Sequence, residues 1–369
     1  MRAARVVQDR DSVAAELMTS SDVGLAGTFR THANYLRAFA TLAGFTLMVS
    51  PRRARARLAE LALGFPVPDV KPGEAALVFD CLRRAWGTEL LLNVGRRYAT
   101  EEELMGLANS WGVVQAYYAA YGAVQALIVA EGRNRPASHP ATQKQVATLW
   151  CHRGAALPLW SFSVGSPSDS QANADGCVNG PDRLLDPSVH AWSASTPTTC
   201  WDLVAMALRS TRQHAVDEQL KRRRREKVAQ RRKEWNSKQQ ERTAGGKAPL
   251  LEPVWPQKAT LTATEKKEIS EAVRPHTMLD YLYRLRIKAN YEDARMFTDG
   301  PEQPGESAAV ARDLVALTSA TLLVHEVRTA KLIGKAAMMK EVERWLGHNS
   351  PPGPDVGLAV RLDVLKGVL

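Results

Sequence analysis

The stretch Leu282-Tyr-Arg-Leu-Arg-Ile-Lys-Ala-Asn-Tyr-Glu-Asp-Ala294 decides how the rest of the chain is read. It belongs to a predicted helix opened by Thr277-Met-Leu-Asp280, a capping residue with an acid three positions on, and running to about Phe297. On that helix Arg286, Asn290 and Asp293 stand at i, i+4 and i+7 and share one face. A cation, an amide and a carboxylate in one stripe are suited to holding a phosphate or a base. They can equally close a buried polar network, since such groups commonly satisfy one another.

Working outward, most of the sequence is helical in character: Ala, Leu, Glu, Arg and Lys dominate, and strand-like alternation is rare. Thr100-Glu-Glu-Glu103 is the expected start of one helix, with threonine as cap and acids at the positive end. In Trp111 to Ala130, Val114, Tyr117, Tyr121, Val124 and Ile128 recur at spacings of three and four. Alanines between them allow a neighbouring helix to approach closely. Tyr117, Tyr121 and Val124 are therefore expected to be buried against the helix beginning near Thr277. The expected class is all-α. Its divisions are an N-terminal helical extension (1–99), a first half of a bundle (100–160), a loop (161–202), a basic helix (203–242), a linker (243–274), a second half (275–346) and a tail that docks or frays (347–369).

The chain of 369 residues carries a net charge of +10, which favours an anionic partner, nucleic acid before an acidic membrane surface. Between Arg209 and Arg242 lie thirteen Lys/Arg and five Asp/Glu, so nearly all of the excess is in one segment. Val216, Leu220, Val228 and Trp235 fall on one sparse apolar stripe of this helix. Lys221, Arg222, Arg223, Arg224, Arg225, Arg231, Arg232 and Lys233 are its candidate nucleic-acid contacts. The alternative is a solvated charged helix that only joins the two halves.

Cys81, Cys151, Cys177 and Cys200 are scattered without metal-ligand spacing, so reduced thiols and no metal or cofactor are expected. Met1 to Asp22 is polar, and the apolar run Ala38 to Val49, followed by Arg52, Arg53, Arg55 and Arg57, is shorter than the ~20 residues of a membrane span. A cytoplasmic protein with no membrane partner is the expectation. The sequence holds no P-loop, dinucleotide glycine pattern, Gly-x-Ser-x-Gly or His-Glu-x-x-His, which sets aside the enzyme classes those motifs mark.

Two segments carry a resemblance. Gln115-Ala-Tyr-Tyr-Ala-Ala-Tyr-Gly-Ala-Val-Gln-Ala-Leu-Ile128, then Gly132 and Ser138-His139, resembles the first half of the HEPN superfamily. Leu285-Arg286-Ile-Lys-Ala289-Asn290-Tyr291 resembles a later helix of the same family, and the helix from Ser307 resembles the one that closes its bundle. About a third of the chain is covered, with the basic helix and loop as an insertion. The resemblance implies a helical bundle that commonly dimerises, in RNA-cleaving, nucleotide-binding, toxin–antitoxin or defence proteins with protein partners. In its catalytic members an Arg and a His four to six residues later cut RNA without metal.

This sequence departs from that pattern. The His position falls on Tyr291, a poor general base at neutral pH because phenols titrate near 10. The position after the Arg, usually polar in the family's catalytic members, holds Ile287, and the position of the Asp found in its non-nuclease branch holds Asn290. Arg133-Asn134-Arg-Pro-Ala-Ser-His139 satisfies the Arg-to-His spacing literally but lies in the wrong part of the bundle. If RNA is cleaved, Arg286 is the expected phosphate-charge stabiliser and Asn290 a substrate-positioning group. Tyr291 is then a hydrogen-bond donor, and His139 the base if the fold brings it near. The different-class expectation is a non-catalytic helical scaffold that dimerises and bridges proteins.

Overall fold

Thr277 and Asp280 do form the cap that the sequence predicts: the Thr277 amide donates to Asp280 Oδ2 at 2.7 Å in a capping box. The computed structural model describes residues 24–44, 58–59, 74–151, 157–165, 188–190, 196–256, 258–349 and 357–369. The expected basic turn at Arg52, Arg53, Arg55 and Arg57, Cys177, Trp192 and most of the 161–202 loop lie outside these residues.

Among the described residues the chain is all-α apart from one small ribbon. In chain order the elements are α1 (24–44), α2 (Ala75–Tyr98), α3 (Glu102–Ala130), α4 (His139–Val146) and α5 (Pro158–Ser161). Strands β1 (Ser188–His190) and β2 (Pro197–Thr199) pair antiparallel, with Val189 opposite Thr198. There follow α6 (Cys200–Ala244), α7 (Ala263–Ala272), α8 (Met278–Ile287), α9 (Met296–Asp299), α10 (Glu306–Ile333), α11 (Lys335–His348) and α12 (Leu358–Val368).

The centre is α3 and α10, packed on each other and on α2. Both are long and apolar enough to cross a bilayer, yet most of each is buried within the bundle. Small residues set the spacing, as the alanine pattern suggests. A Cβ on Gly106 would lie 2.6 Å from the Phe297 carbonyl, and one on Gly122 3.1 Å from the Cys81 carbonyl. α1 docks through aromatics: Phe39 stacks on Tyr281 of α8 at 4.9 Å, and Phe29 meets Phe297 edge-on.

Several boundaries differ from the sequence expectation. The uncertain segment Glu89–Tyr98 is the last part of α2. Glu101, not Thr100, precedes α3, and no side chain caps it. Glu102 instead accepts from the Ser307 amide at 3.1 Å, so its carboxylate serves the first turn of α10. α8 does not run to Phe297. It passes into a π-helical turn at Lys288–Glu292 and stops at Asp293, whose amide bonds to the Lys288 carbonyl at 2.8 Å. The 243–274 segment is not a free linker, because it contains α7, closed by a Thr262–Glu265 capping box. Within the tail, α12 docks on the bundle: Arg361 is buried between Glu89 and Glu326.

Tyr117 and Val124 are buried toward α8 as expected, but Tyr121 is only half-buried. Tyr117→Ala is therefore expected to destabilise by about 3–5 kcal/mol, the range for large aromatic deletions. Tyr121→Ala should give a clearly smaller loss in the same urea titration. Equal losses would contradict this placement.

Candidate functional site

Three elements bring aromatic, cationic and imidazole groups together. α3 contributes Tyr117, Tyr118 and Tyr121 from adjacent turns. α4 contributes His139 at its first position, after Ser138, whose hydroxyl accepts from the Ala141 amide at 3.4 Å. The last turn of α8 contributes Tyr283 and Arg286, three residues apart on one face.

Arg286 sits at the middle of this group. Its guanidinium carbon lies 4.9 Å from the Tyr283 ring centre, 5.3 Å from Tyr117 and 5.4 Å from Tyr118. Aromatic faces attract a guanidinium electrostatically, more so where water is excluded. Arg286 also donates to the Tyr118 hydroxyl at 2.8 Å, and its Nε is buried without a hydrogen-bond partner among the described residues. The guanidinium is thus held in place with donor capacity left over.

His139 closes the other side. Its Nδ1 lies 2.6 Å from the Tyr117 hydroxyl, and its ring is 4.8 Å from Tyr121 and 5.5 Å from Tyr283. Burial and the nearby charge of Arg286 both push its pKa below the usual imidazole value. Burial raises the Tyr117 phenol, so it stays protonated. With Nδ1 bonded to Tyr117, Nε2 is the remaining ring nitrogen of this neutral imidazole. In the tautomer with hydrogen on Nδ1, Nε2 is the unprotonated atom a general base needs.

The other sequence candidates fare differently. The π-helical turn breaks the stripe of Arg286, Asn290 and Asp293 by inserting an extra residue per turn. Asp293 pairs with Lys288 instead, Asn290 is half-buried on the turn, and Tyr291 is 75% exposed and outside the ring cluster. Arg133 does not join His139. It turns toward Glu131 at 3.7 Å and Gln145 at 3.5 Å, because Gly132, at φ 74°, reverses the chain between α3 and α4. The residue in that loop that does reach the cluster is Arg135, which donates to Gln125 Oε1 at 2.9 Å. Gln125 in turn donates to the Tyr121 hydroxyl at 2.9 Å. Sequence reasoning missed Tyr118, Tyr283, Gln125 and Arg135. Tyr118 and Gln125 lie in the quoted Gln115–Ile128 segment, and Tyr283 stands i, i+3 from Arg286, but nothing along the chain marked Arg135.

A cleft of about 960 Å3 opens beside this cluster, with Pro140 and Tyr283 on its edge. α4 and α8 form one wall, and α6 and α7 the other. Arg284 lies between this cleft and a second hollow of about 450 Å3 under α1, and is paired with Glu292 at 2.7 Å.

From the cleft, α6 extends as an arm. No residue beyond Val216 is buried, and at about 1.5 Å per residue the remainder to Ala244 spans roughly 40 Å. The expected apolar stripe is real but covered: residues after Gly246 return alongside, Trp255 meets Trp235 edge-on at 6.2 Å, and Arg232 lies over Trp255. Lys221 pairs with Glu218 at 2.7 Å, and Arg222 and Arg223 share Glu226 at 3.5 and 3.7 Å. Among the described residues Arg224, Arg225, Arg231 and Lys233 make no ion pair, and all but Arg224 are exposed. No three His, Cys, Asp or Glu side chains among the described residues converge to hold a metal.

No family model, curated protein or solved structure matches this chain.

Proposed function

We propose that this chain is an RNA-directed, HEPN-like protein of a prokaryotic defence or toxin-like system, working in the cytoplasm as a metal-independent endoribonuclease or RNA-binding module. One observation carries the reading. Arg286 and His139, from opposite halves of the chain, share Tyr117, Tyr118 and Tyr283 at the foot of a basic arm. A fixed guanidinium suits a phosphate because its planar fork stays charged and binds two oxygens at once. A neutral imidazole beside it suits proton transfer from a ribose 2′-hydroxyl. The arm supplies sequence-independent attraction for the backbone.

The arm provides the test. Replacing Arg222, Arg223, Arg224 and Arg225 with Gln should weaken RNA binding and flatten its dependence on salt. Each lost phosphate contact removes roughly 0.7–0.9 from the slope of log affinity against log salt. Fluorescence anisotropy over a salt series reads both. Unchanged affinity and slope would remove the arm from the mechanism.

A second reading has its own observation. Leu104, Leu107 and Trp111 form an exposed apolar stripe on α3, with Trp111 65% exposed. Such a stripe suits a non-catalytic scaffold that dimerises or binds a protein partner. Self-association through it should persist at high salt, whereas RNA binding should not.

A further inference from the structure

The cleft at the foot of the arm has a composition that the phosphate chemistry of Arg286 does not need. Much of its lining is aliphatic, from Pro140, Ala215, Ile269, Ala272, Val273 and Ile287, beside the Arg274–Asp280 ion pair. Lys144 and Arg222 stand on its rim, from opposite walls, and both are exposed. Gln143 lines the α4 wall and is almost wholly buried. Its Oε1 accepts from Arg274, and its Nε2 has no hydrogen-bond partner among the described residues. A buried donor left unmatched is unfavourable, and an acceptor on a ligand relieves it. His214, from the arm, has its pKa lowered by burial and by Arg284, so it presents a neutral ring edge. Tyr283 belongs to both places: it lines the cleft and contacts His139 and Arg286.

An apolar slot with an aromatic edge, cations at the rim, and walls whose charges are internally paired (Arg274 with Asp280, Arg284 with Glu292) fits a flat heterocycle carrying phosphate on either side. At about 960 Å3 it has room for more than one nucleotide. Resting on the RNA-directed reading, we infer that this cleft receives one or two unstacked bases of single-stranded RNA, seating the adjoining phosphate at Arg286. Base-paired RNA keeps its bases inside the helix and offers only backbone to the arm. The cleft therefore selects single strands, while the arm accepts either form.

The experiment compares a single-stranded RNA of roughly twelve nucleotides, a length within the span of known single-strand sites, with the same sequence as a duplex. Anisotropy is measured for the full chain and for Ala272→Trp, which fills the cleft from an exposed position on α7, on the wall opposite Tyr283. The parent should prefer the single strand by about tenfold, the scale of one lost base stack. Ala272→Trp should abolish that preference and leave duplex affinity unchanged, and Ala272→Ser should behave as the parent. Lys144→Glu, on the opposite wall, should likewise weaken the single strand more than the duplex, which keeps the test decisive if the tryptophan variant melts early. Equal affinity of the parent for both forms, or a preference that survives both substitutions, overturns the cleft assignment while leaving arm-mediated RNA binding intact. Absence of binding to either RNA at low salt overturns the RNA-directed reading itself, and the cleft assignment with it.

Discussion

Arg361→Ala is expected to destabilise the protein by about 3–5 kcal/mol, the range for removing one partner of a buried ion pair. Arg361 Nη2 donates to Glu89 Oε2 at 2.8 Å and to Glu326 Oε1 at 2.9 Å, and Nε donates to Glu326 Oε2 at 2.9 Å. Trp86 Nε1 adds a further bond, to Glu326 Oε1 at 2.8 Å. All four side chains are buried, and the network joins α2, α10 and α12. Deleting the guanidinium leaves two buried, mutually repelling carboxylates without their cation.

The pH dependence of that loss is a second readout. Burial raises the Glu89 pKa and Arg361 opposes the rise. Without Arg361 the opposition is gone, so folded Glu89 binds its proton more readily than the unfolded chain does. A raised folded pKa means stability is lost as pH climbs through the interval above the unfolded value, and regained as pH falls back through it. The variant should therefore recover part of its deficit between pH 7 and pH 5 relative to the parent. Urea denaturation at several pH values measures this. A loss under about 1 kcal/mol would mean that α12 is held by its apolar contacts alone.

On the proposed ribonuclease reading, Arg286→Ala should lower RNA cleavage by about a hundredfold or more, the usual effect of removing one charge-stabilising donor from a preorganised site. As the 2′-hydroxyl attacks the adjacent phosphate, negative charge grows on the phosphoryl oxygens, and the guanidinium held by Tyr118 and Tyr283 is fixed where it can meet that charge. His139→Ala should cause a comparable loss through the proton step. The two losses should not add, since both groups serve one transition state. With the His139 pKa lowered, the parent rate should rise with pH and level off below the usual imidazole value of about 6.5. Circular dichroism should show each variant folded. An Arg286→Ala protein that cleaves as fast as the parent places the site elsewhere. A parent that cleaves no RNA but binds it, with affinity lost in Arg286→Ala, leaves a binding module in which the same guanidinium holds phosphate.

The sequence alone determined what depends on near neighbours. Helical periodicity, the Thr277–Asp280 cap and the density of Lys and Arg from Lys221 to Lys233 are local properties. Side chains one turn apart, or a capping residue and its amide, meet wherever the helix is placed. Tertiary structure decided the site. Whether His139 faces Arg286 depends on the angle between α4 and α8 and on the reversal at Gly132, and neither is encoded in spacing along one segment. For the same reason Arg133, six residues before His139 and matching a motif by count, points to Glu131 instead. The π-helical turn at Lys288 shifted Asn290 and Asp293 off the Arg286 face, a displacement that an ideal 3.6-residue repeat cannot register. The burial of Arg361 was equally hidden, because it depends on two distant carboxylates, Glu89 and Glu326, being brought to either side of it.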